Sequence, residues 1–216
     1  MNTALPDTLD PPHLVLGSSS PYRRELLARL RLPFEVHSPH VDEAAVPGEL
    51  PLHTAQRLSV LKARAVAALP ALQGKDVLVI GSDQVAELNG QPMGKPGSHD
   101  KARAQLQAMR GQVVQFHTSV TVLRPAMGYE QETTSTSVVH VRALTDADID
   151  RYLALEQPYD CAGSAKAESL GICLLGRIES SDPTALIGLP LIETTRLLRE
   201  AGLDPLHACS NPAPTP

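Results

Sequence analysis

Short apolar runs of strand length alternate along this chain with helical patterns, and this alternation limits the fold more than any other feature of the sequence. Residues 13–16 and 77–80 are apolar runs, and residues 113–122 and 137–141 also predict strands. Between the first two strands, residues 53–69 have the spacing of a helix. Strands and helices that alternate without an internal repeat favour an α/β fold.

Turn and cap residues indicate where the elements begin and end. The signals are Asn89-Gly90 for a hairpin, Ser98 and Thr145 for helix starts, Gly111 and Gly202 for helix ends, and Pro190 before the last helix. In the helix over residues 53–69, one face carries Leu58, Leu61, Ala65 and Ala68, and Lys62 lies off that face. On composition alone, Lys62 is therefore predicted to be an exposed helical lysine.

The length and composition indicate one domain. A chain of 216 residues can bury a sizeable core, and no Pro/Gly-rich linker divides this one. We expect residues 13–207 to form a single domain, residues 1–12 a disordered leader and residues 208–216 a flexible tail.

Charge and composition argue against several classes of function. The net charge is −5, and the aromatic residues are two Phe and four Tyr, which argues against nucleic-acid binding. No apolar run approaches the length of a membrane span, and the N-terminus lacks a secretory pattern. Cys161, Cys173 and Cys209 lack metal-ligand or redox spacing, so we expect reduced thiols. The expected location is the cytoplasm, with no nucleic-acid or membrane partner.

A serine-rich turn before the first helix predicts an anion site. Ser18 and Ser20 follow the first strand, Pro21 suits the first helical position, and Arg23 and Arg24 lie in the first turn. The helix macrodipole disfavours cations there, but a bound phosphate reverses this effect. The alternative is a solvated helix start with surface arginines.

Asp83 is the first candidate for acid–base or metal chemistry. It follows the apolar run of residues 77–80, and ligand sites of α/β folds collect at strand ends. A carboxylate there could hold Mg²⁺ or activate water; the alternative is an aspartate that bonds its own turn. Asp42-Glu43 could supply a second carboxylate, although acidic pairs in loops are usually solvated.

Two further segments carry cations suited to phosphate. Gly94-Lys95-Pro96 lacks the spacing of a Walker A motif, but Lys95 could neutralise phosphate as a point charge. Residues 161–171 are rich in small side chains and contain Lys166 and Glu168, and small residues let a ligand approach the backbone. An ordinary loop is the alternative for this segment.

Taken in order, these segments resemble the Maf family of nucleoside triphosphate pyrophosphatases over residues 13–202. The matching segments are Leu16-Gly-Ser-Ser-Ser-Pro-Tyr-Arg-Arg-Glu-Leu-Leu27, Asp42-Glu43, Lys62-Ala63, Ile80-Gly-Ser-Asp-Gln84, Gly94-Lys-Pro96, Gly111, Thr118, Asp160-Cys-Ala-Gly-Ser164, Lys166, Glu168, Leu170-Gly-Ile172, Asp182-Pro183 and Ile187-Gly-Leu-Pro-Leu191. The chain looks most like the branch that hydrolyses 7-methyl-GTP. Ser119, Ala165, Ala167 and Ser169 depart from the residues usual in the family.

The resemblance implies a fold and a reaction. The implied fold is a two-lobed, inosine-triphosphatase-like α/β fold, in which helices flank a mixed, curved sheet and a central cleft separates the lobes. The implied reaction is hydrolysis between the α and β phosphates of a nucleoside triphosphate, which yields a nucleoside monophosphate and pyrophosphate. A divalent cation, Mg²⁺ or Mn²⁺, and a homodimer are also implied.

The resemblance also implies roles for individual residues. It makes Asp83 the proton acceptor, Glu43 and Asp83 the metal ligands, Arg23, Lys62 and Lys95 phosphate contacts, and Tyr22, Gln84 and Glu168 the residues that set base preference. We expect Ser18, Ser20, Arg24 and Lys166 to assist substrate binding. Tyr22 could stack on the cationic 7-methylguanine, and Glu168 could accept hydrogen bonds from guanine N–H groups.

Two alternative functions remain open from the sequence. The first is a dTTP/UTP pyrophosphatase of the same family, against which Tyr22, Gln84 and Glu168 argue. The second is a nucleotide-binding regulator of cell division without turnover. Asp83 and Glu43 argue against that alternative, because a pure binder needs no general base.

Overall fold

The computed structural model describes residues 11–44 and 46–208. Most of the predicted leader and tail, and Cys209, therefore lie outside the described residues. Within them, Cys161 and Cys173 are free thiols. Every described helix is too short or too polar to span a lipid bilayer.

Seven strands and six helices follow one another along the described chain. They are β1 His13–Gly17, α1 Pro21–Ala28, β2 Glu35–His37, α2 Pro51–Ala67, β3 Val77–Leu88, β4 Gln91–Met93, α3 His99–Met109, β5 Val113–Arg124, β6 Tyr129–Val141, α4 Asp146–Glu156, β7 Leu175–Glu179, α5 Leu191–Glu200 and α6 Pro205–Ala208. Short 3₁₀ turns include residues 162–164, 170–174 and 185–187. The predicted strands and helices are confirmed, while β2, β7, α6 and most of β6 were not foreseen.

The predicted caps account for the element boundaries. Ser20 Oγ accepts from the backbone N–H of Arg23 at 3.4 Å, and Ser98 caps α3 in the same way. Thr145 and Asp148 form the reciprocal capping box of α4. Asn89 and Gly90 both have positive φ, at 52° and 78°, as a tight hairpin between β3 and β4 requires.

The strands form one mixed sheet in the order β2-β1-β3-β5-β6-β7, with β4 paired to β3. β1 runs parallel to β2 and β3, and the remaining pairs are antiparallel. The long strands β3, β5 and β6 form the centre of this sheet. The mixed α/β sheet implied by the resemblance is confirmed.

One edge of β3 is left open over a short stretch, and this gap determines where a ligand can bind. β1 pairs with β3 as far as Gly17 opposite Gly81, and β4 pairs with β3 from Ala86 opposite Met93. In the described part of the chain, no strand pairs with residues 82–85 along that edge. The gap is bordered by the serine turn that follows β1 and by the turn that follows β4.

Two apolar clusters on the same central strands form the two lobes. The first contains Leu16, Leu27, Ile80, Val122 and Leu197; the second contains Ala86, Leu106, Phe116, Val139 and Leu153. Both clusters include side chains from β3 and β5, at opposite ends of those strands. The implied division into two lobes with a cleft between them is therefore confirmed.

Helix α2 packs unusually close to β3, and its buried face differs from the prediction. A Cβ at Gly81 would lie 2.3 Å from the carbonyl oxygen of Ser59 and 2.5 Å from the backbone nitrogen of Ala63. The buried side chains of α2 include Leu58, Ser59, Lys62 and Val66. The predicted face is only partly correct: Leu58 is buried, but Leu61 and Ala68 are exposed, and Lys62 is buried instead.

Buried polar partners explain this difference. Ser59 Oγ lies 2.8 Å from both Ser119 Oγ and Thr121 Oγ1 of β5, so the helix turns a polar row toward the sheet. Asp83 likewise lies within β3, opposite Ser119, rather than at a strand end as predicted. The polar Ser-Asp-Gln stretch continues the strand because its backbone pairs with β5, with Ser82 opposite Val120 and Gln84 opposite Thr118.

Candidate active site

A cleft of about 770 Å³ fills the gap beside β3. Its walls come from the serine turn and the start of α1, from the loop between β2 and α2, from α2 and β3, from the turn after β4, and from residues 160–168 and 186–188. The lining includes most of the predicted site residues, namely Ser18, Ser20, Tyr22, Arg23, Glu43, Lys62, Asp83, Gln84, Lys95 and Glu168. Segments far apart in the sequence thus meet in one cavity.

Among the described residues that line the cleft, a lysine between two carboxylates is the most buried charged side chain. Lys62 Nζ lies 2.6 Å from Asp83 Oδ1 and 2.9 Å from Glu43 Oε1. Lys62 is 5% exposed and Asp83 is 7% exposed. An ammonium group held this way replaces lost hydration with two charge-assisted contacts. Lys62 is therefore a paired site residue rather than the exposed lysine predicted from composition.

Burial changes the acid–base properties of Asp83. Burial raises the pKa of Asp83 above its ordinary value, and the positive charges of Lys62 and Arg23 offset only part of that rise. Among the described residues, hydrogen bonding engages only Oδ1 of this carboxylate. The other oxygen is therefore free to accept a proton.

The serine turn and Arg23 together form a cationic, donor-rich corner. The backbone N–H of Ser20 donates to Ser18 Oγ at 3.1 Å, and Arg23 Nε donates to the carbonyl oxygen of Gly188 at 2.8 Å. Burial lowers the pKa of Arg23, and the carboxylates of Asp83 and Glu43 oppose that shift. Arg24 is exposed and does not line this cleft, since it borders a separate hollow of about 340 Å³ beyond α1.

Tyr22 is held in place at the other end of the cleft. Its hydroxyl donates to Asp160 Oδ2 at 3.1 Å, and Lys166 Nζ lies 5.7 Å from the centre of its ring. Burial is the largest of the causes that raise the pKa of Tyr22. Lys166 also lies 3.6 Å from Asp160 Oδ1, so it supports Tyr22 from outside the cavity lining.

Glu168 and Gln84 complete the lining of this end. The side chain of Glu168 is exposed to solvent, but partial desolvation by its surroundings raises the pKa of its carboxyl group. Gln84 Nε2 donates to Thr118 Oγ1 at 2.9 Å and to the carbonyl oxygens of Ala185 and Leu186 at 3.0 Å each. The amide of Gln84 therefore fixes the turn at residues 185–188, and its carbonyl end is left as the acceptor.

Comparison with known proteins settles the family. The sequence profile of the Maf-like proteins matches residues 13–201 of this chain. The chain belongs to the Maf family. A Maf protein of Thiobacillus denitrificans, named 7-methyl-GTP pyrophosphatase, is 57% identical over 195 residues, which cover 90% of this chain and 95% of that protein.

Other relatives agree. A protein of the same name from Polaromonas sp. is 57% identical, over 93% of this chain and 89% of its own length. Another, from Cupriavidus metallidurans, is 59% identical, over 88% of this chain and 94% of its own length. Among solved structures, the Ham1 protein of Staphylococcus aureus is similar with a TM-score of 0.41 and 18% identity, over 61% of this chain and 72% of that one. That last similarity is too low to carry an argument.

The donor set of this Maf cleft suits a hard divalent cation. Glu43 and Asp83 present carboxylate oxygens on either side of the Lys62 ammonium group, so the structure already places a positive charge between them. Mg²⁺ typically takes one or two carboxylates and completes its shell with water and substrate phosphate. Within the described residues, no group of three or more His, Cys, Asp or Glu converges.

Sequence reasoning gave no role to two groups that organise the Maf cleft. Asp160 bonds Tyr22 and Lys166, and the carbonyl oxygen of Gly188 accepts from both Arg23 and Ser82. Both residues lie within segments that carried the family resemblance. That membership was the only signal in the sequence that could have found them.

Proposed function

We propose that this chain hydrolyses 7-methyl-GTP to 7-methyl-GMP and pyrophosphate. One observation carries the proposal: the buried Asp83–Lys62 pair, with the exposed carboxylate of Glu43 on its other side, lies in the same cleft as a supported Tyr22 and the carboxylate of Glu168. The first group suits phosphoryl chemistry, and the second suits a cationic purine. The names of the close relatives support this assignment.

Asp83 acts as the general base in the proposed reaction. Its carboxylate accepts a proton from a water molecule, whose oxygen forms a bond to the α-phosphorus. The bond between the α-phosphorus and the bridging oxygen breaks, and the electron pair leaves with pyrophosphate. A carboxylate with a raised pKa is a stronger base than an ordinary aspartate, which favours this proton transfer.

The cations of the cleft neutralise the triphosphate. Arg23, the serine turn and Lys95 surround the position of the phosphates, and Lys62 holds the Asp83 carboxylate in place. Phosphoryl transfer depends mainly on positioning and charge neutralisation, which these groups provide. Glu43 and Asp83 would hold Mg²⁺ or Mn²⁺, which when bound supplies further neutralisation of phosphate oxygens.

Base recognition follows from charge. 7-Methylguanine carries a positive charge, so stacking on the Tyr22 ring adds a cation–π attraction of about 0.5–2 kcal/mol. Glu168 offers a carboxylate to the N1–H and the exocyclic amine of guanine. A pyrimidine lacks both the charge and this pair of donors, which argues against dTTP and UTP as substrates.

The decisive assay measures pyrophosphate release from 7-methyl-GTP, GTP, dTTP, UTP and CTP, with Mg²⁺ or Mn²⁺. We expect clear preference for 7-methyl-GTP and loss of turnover in Asp83→Asn. Asp100→Asn, at an exposed position of α3, is the matched control and should keep full activity. In ¹⁸O-labelled water, the label should enter 7-methyl-GMP and not pyrophosphate.

Each alternative predicts a different outcome. Turnover of dTTP or UTP instead would refute the roles given to Tyr22 and Glu168 but keep the reaction. Label in pyrophosphate would mean attack at the β-phosphorus. Nucleotide binding without turnover would favour the regulator of cell division. The homodimer stays a prediction of the family resemblance, and the cytoplasmic location stays a prediction from the sequence patterns and the cysteines.

A further inference from the structure

Gln105 of α3 joins two separate segments of the cleft wall without lining the cleft itself. Its Oε1 accepts from Ser164 Oγ at 2.5 Å, and its Nε2 donates to the carbonyl oxygen of Gly94 at 3.0 Å. The carbonyl oxygen of Gly94 can only accept, so Nε2 must face it and Oε1 must face the Ser164 hydroxyl. The two bonds therefore fix the orientation of the amide.

The two segments carry residues for opposite ends of the substrate. Gly94 directly precedes Lys95, which faces the phosphates. Ser164 lies between Cys161 and Glu168, in the wall that faces the base. A second bridge runs in parallel, since the backbone N–H of Gly97 donates to the carbonyl oxygen of Tyr159 at 3.0 Å.

The backbone at Ser164 needs such support. Ser164 is fully buried and has a φ of 56°, a conformation that costs a non-glycine residue free energy. The preceding Gly163 also has positive φ, and a Cβ there would lie 3.3 Å from Cζ of Phe116. Among the described residues, Gln105 is the partner of the Ser164 hydroxyl.

We propose that Gln105 is a positioning residue that couples the Lys95 turn to the segment carrying Glu168. It thereby sets the distance between the phosphate end and the base end of the cleft. The kinetic consequences rest on the proposed function, whereas the structural consequence does not. A single side chain outside the cleft thus affects both catalysis and base discrimination.

Three substitutions separate the two bonds. Gln105→Leu removes both, Ser164→Ala removes only the bond to Oε1, and Gln105→Glu keeps an acceptor for Ser164 but places an oxygen against the carbonyl oxygen of Gly94. Gln107→Leu is the matched control, because Gln107 lies on the same helix and its side chain, within the described part of the chain, bonds only Asp146, at 3.4 Å. The Gln105→Glu variant keeps the test valid if Gln105→Leu does not fold.

Hydrogen exchange measured by mass spectrometry tests the coupling without any substrate. In Gln105→Leu, we expect faster exchange in both residues 93–97 and residues 161–170, and no change in Gln107→Leu. Faster exchange in neither segment, or in only one, overturns the proposal. This result stands whether or not the wild type hydrolyses 7-methyl-GTP.

Steady-state kinetics test the consequence for recognition. We expect Gln105→Leu to lower kcat/KM for 7-methyl-GTP by about tenfold, within the range for two lost hydrogen bonds, and to reduce the preference for 7-methyl-GTP over GTP. Ser164→Ala should reduce that preference, while Gln105→Glu should mainly weaken inhibition by pyrophosphate. Equal losses on both nucleotides in every variant would overturn the proposal. An inactive wild type would instead refute the proposed function, and the exchange experiment would then decide the role of Gln105.

Discussion

Gly81→Ala should damage both the stability and the activity of the protein, because α2 crosses β3 directly over this glycine. The added Cβ would lie 2.3 Å from the carbonyl oxygen of Ser59 and 2.5 Å from the backbone nitrogen of Ala63. Non-bonded heavy atoms settle at about 3.5–4.0 Å, so the helix must move outward by about 1 Å. Backbone atoms inside a helix cannot rotate away as a flexible side chain could.

The size of the effect follows from that movement. Forcing extra volume into a packed interface costs about 1–3 kcal/mol, and we expect the upper value because both neighbours are backbone. For a domain of this size, about 3 kcal/mol corresponds to a fall in Tm of about 6–12 °C. Movement of α2 also displaces Lys62 from Asp83, and a misplacement of about 1 Å can cost about 100-fold in rate.

Thermal denaturation followed by circular dichroism gives the stability, and pyrophosphate release gives the rate. Gly176→Ala is the control: its Cβ would meet the carbonyl oxygen of His140 at 3.6 Å, an ordinary contact, and its Tm should change little. Equal Tm values for Gly81→Ala and the wild type would refute the packing argument. A stable variant that loses activity would mean that Gly81 matters for substrate approach instead.

Three further predictions concern charge. The value of kcat/KM should fall as the pH drops through the pKa of Asp83, because the general base must be ionised, and this fall should begin above pH 3.8, the ordinary pKa of an aspartate. A kcat/KM that stays constant down to pH 3.8 would contradict this. Glu168→Gln should lower the preference for 7-methyl-GTP over GTP by about tenfold in competition assays, since the neutral amide no longer faces a cation, and an unchanged ratio would exclude this contact. Asp182→Ala should cost about 2–3 kcal/mol in urea denaturation, because the buried carboxylate accepts from the backbone N–H groups of Thr184 and Ile192 at 2.9 and 2.7 Å; a loss below about 0.5 kcal/mol would contradict it.

The local features of the fold were predictable because their causes are local. Ser20, Ser98 and Thr145 cap the helices that they were expected to cap, and Asn89-Gly90 forms the expected hairpin. Each of these signals acts within a few residues. Of β6, only residues 137–141 were foreseen, because residues 129–136 are mostly polar and owe their conformation to pairing with β5.

The candidate site was predictable in membership but not in arrangement. The burial of Lys62 depends on a carboxylate from another element, 21 residues away, which no helical periodicity reveals. Arg23 and Arg24 are neighbours in α1, but Arg23 points into the cleft and Arg24 points away from it. Which of the two faces the cleft depends on the face of α1 that packs against the sheet, and the sequence does not reveal that face. The role of Gln105 depends on two segments that meet only in the folded chain.

Because β3 and β5 run unbroken through both lobes, the continuous sheet opposes a rigid-body hinge motion of one lobe relative to the other. A hinge between the lobes would have to bend a hydrogen-bonded ladder that is continuous from Val79 to Glu87. The width of the cleft is therefore set by the sheet, and nucleotide entry and product release must depend on small movements of its rim. The loops around the cleft are therefore mounted on one continuous sheet, which serves as the common template for both lobes.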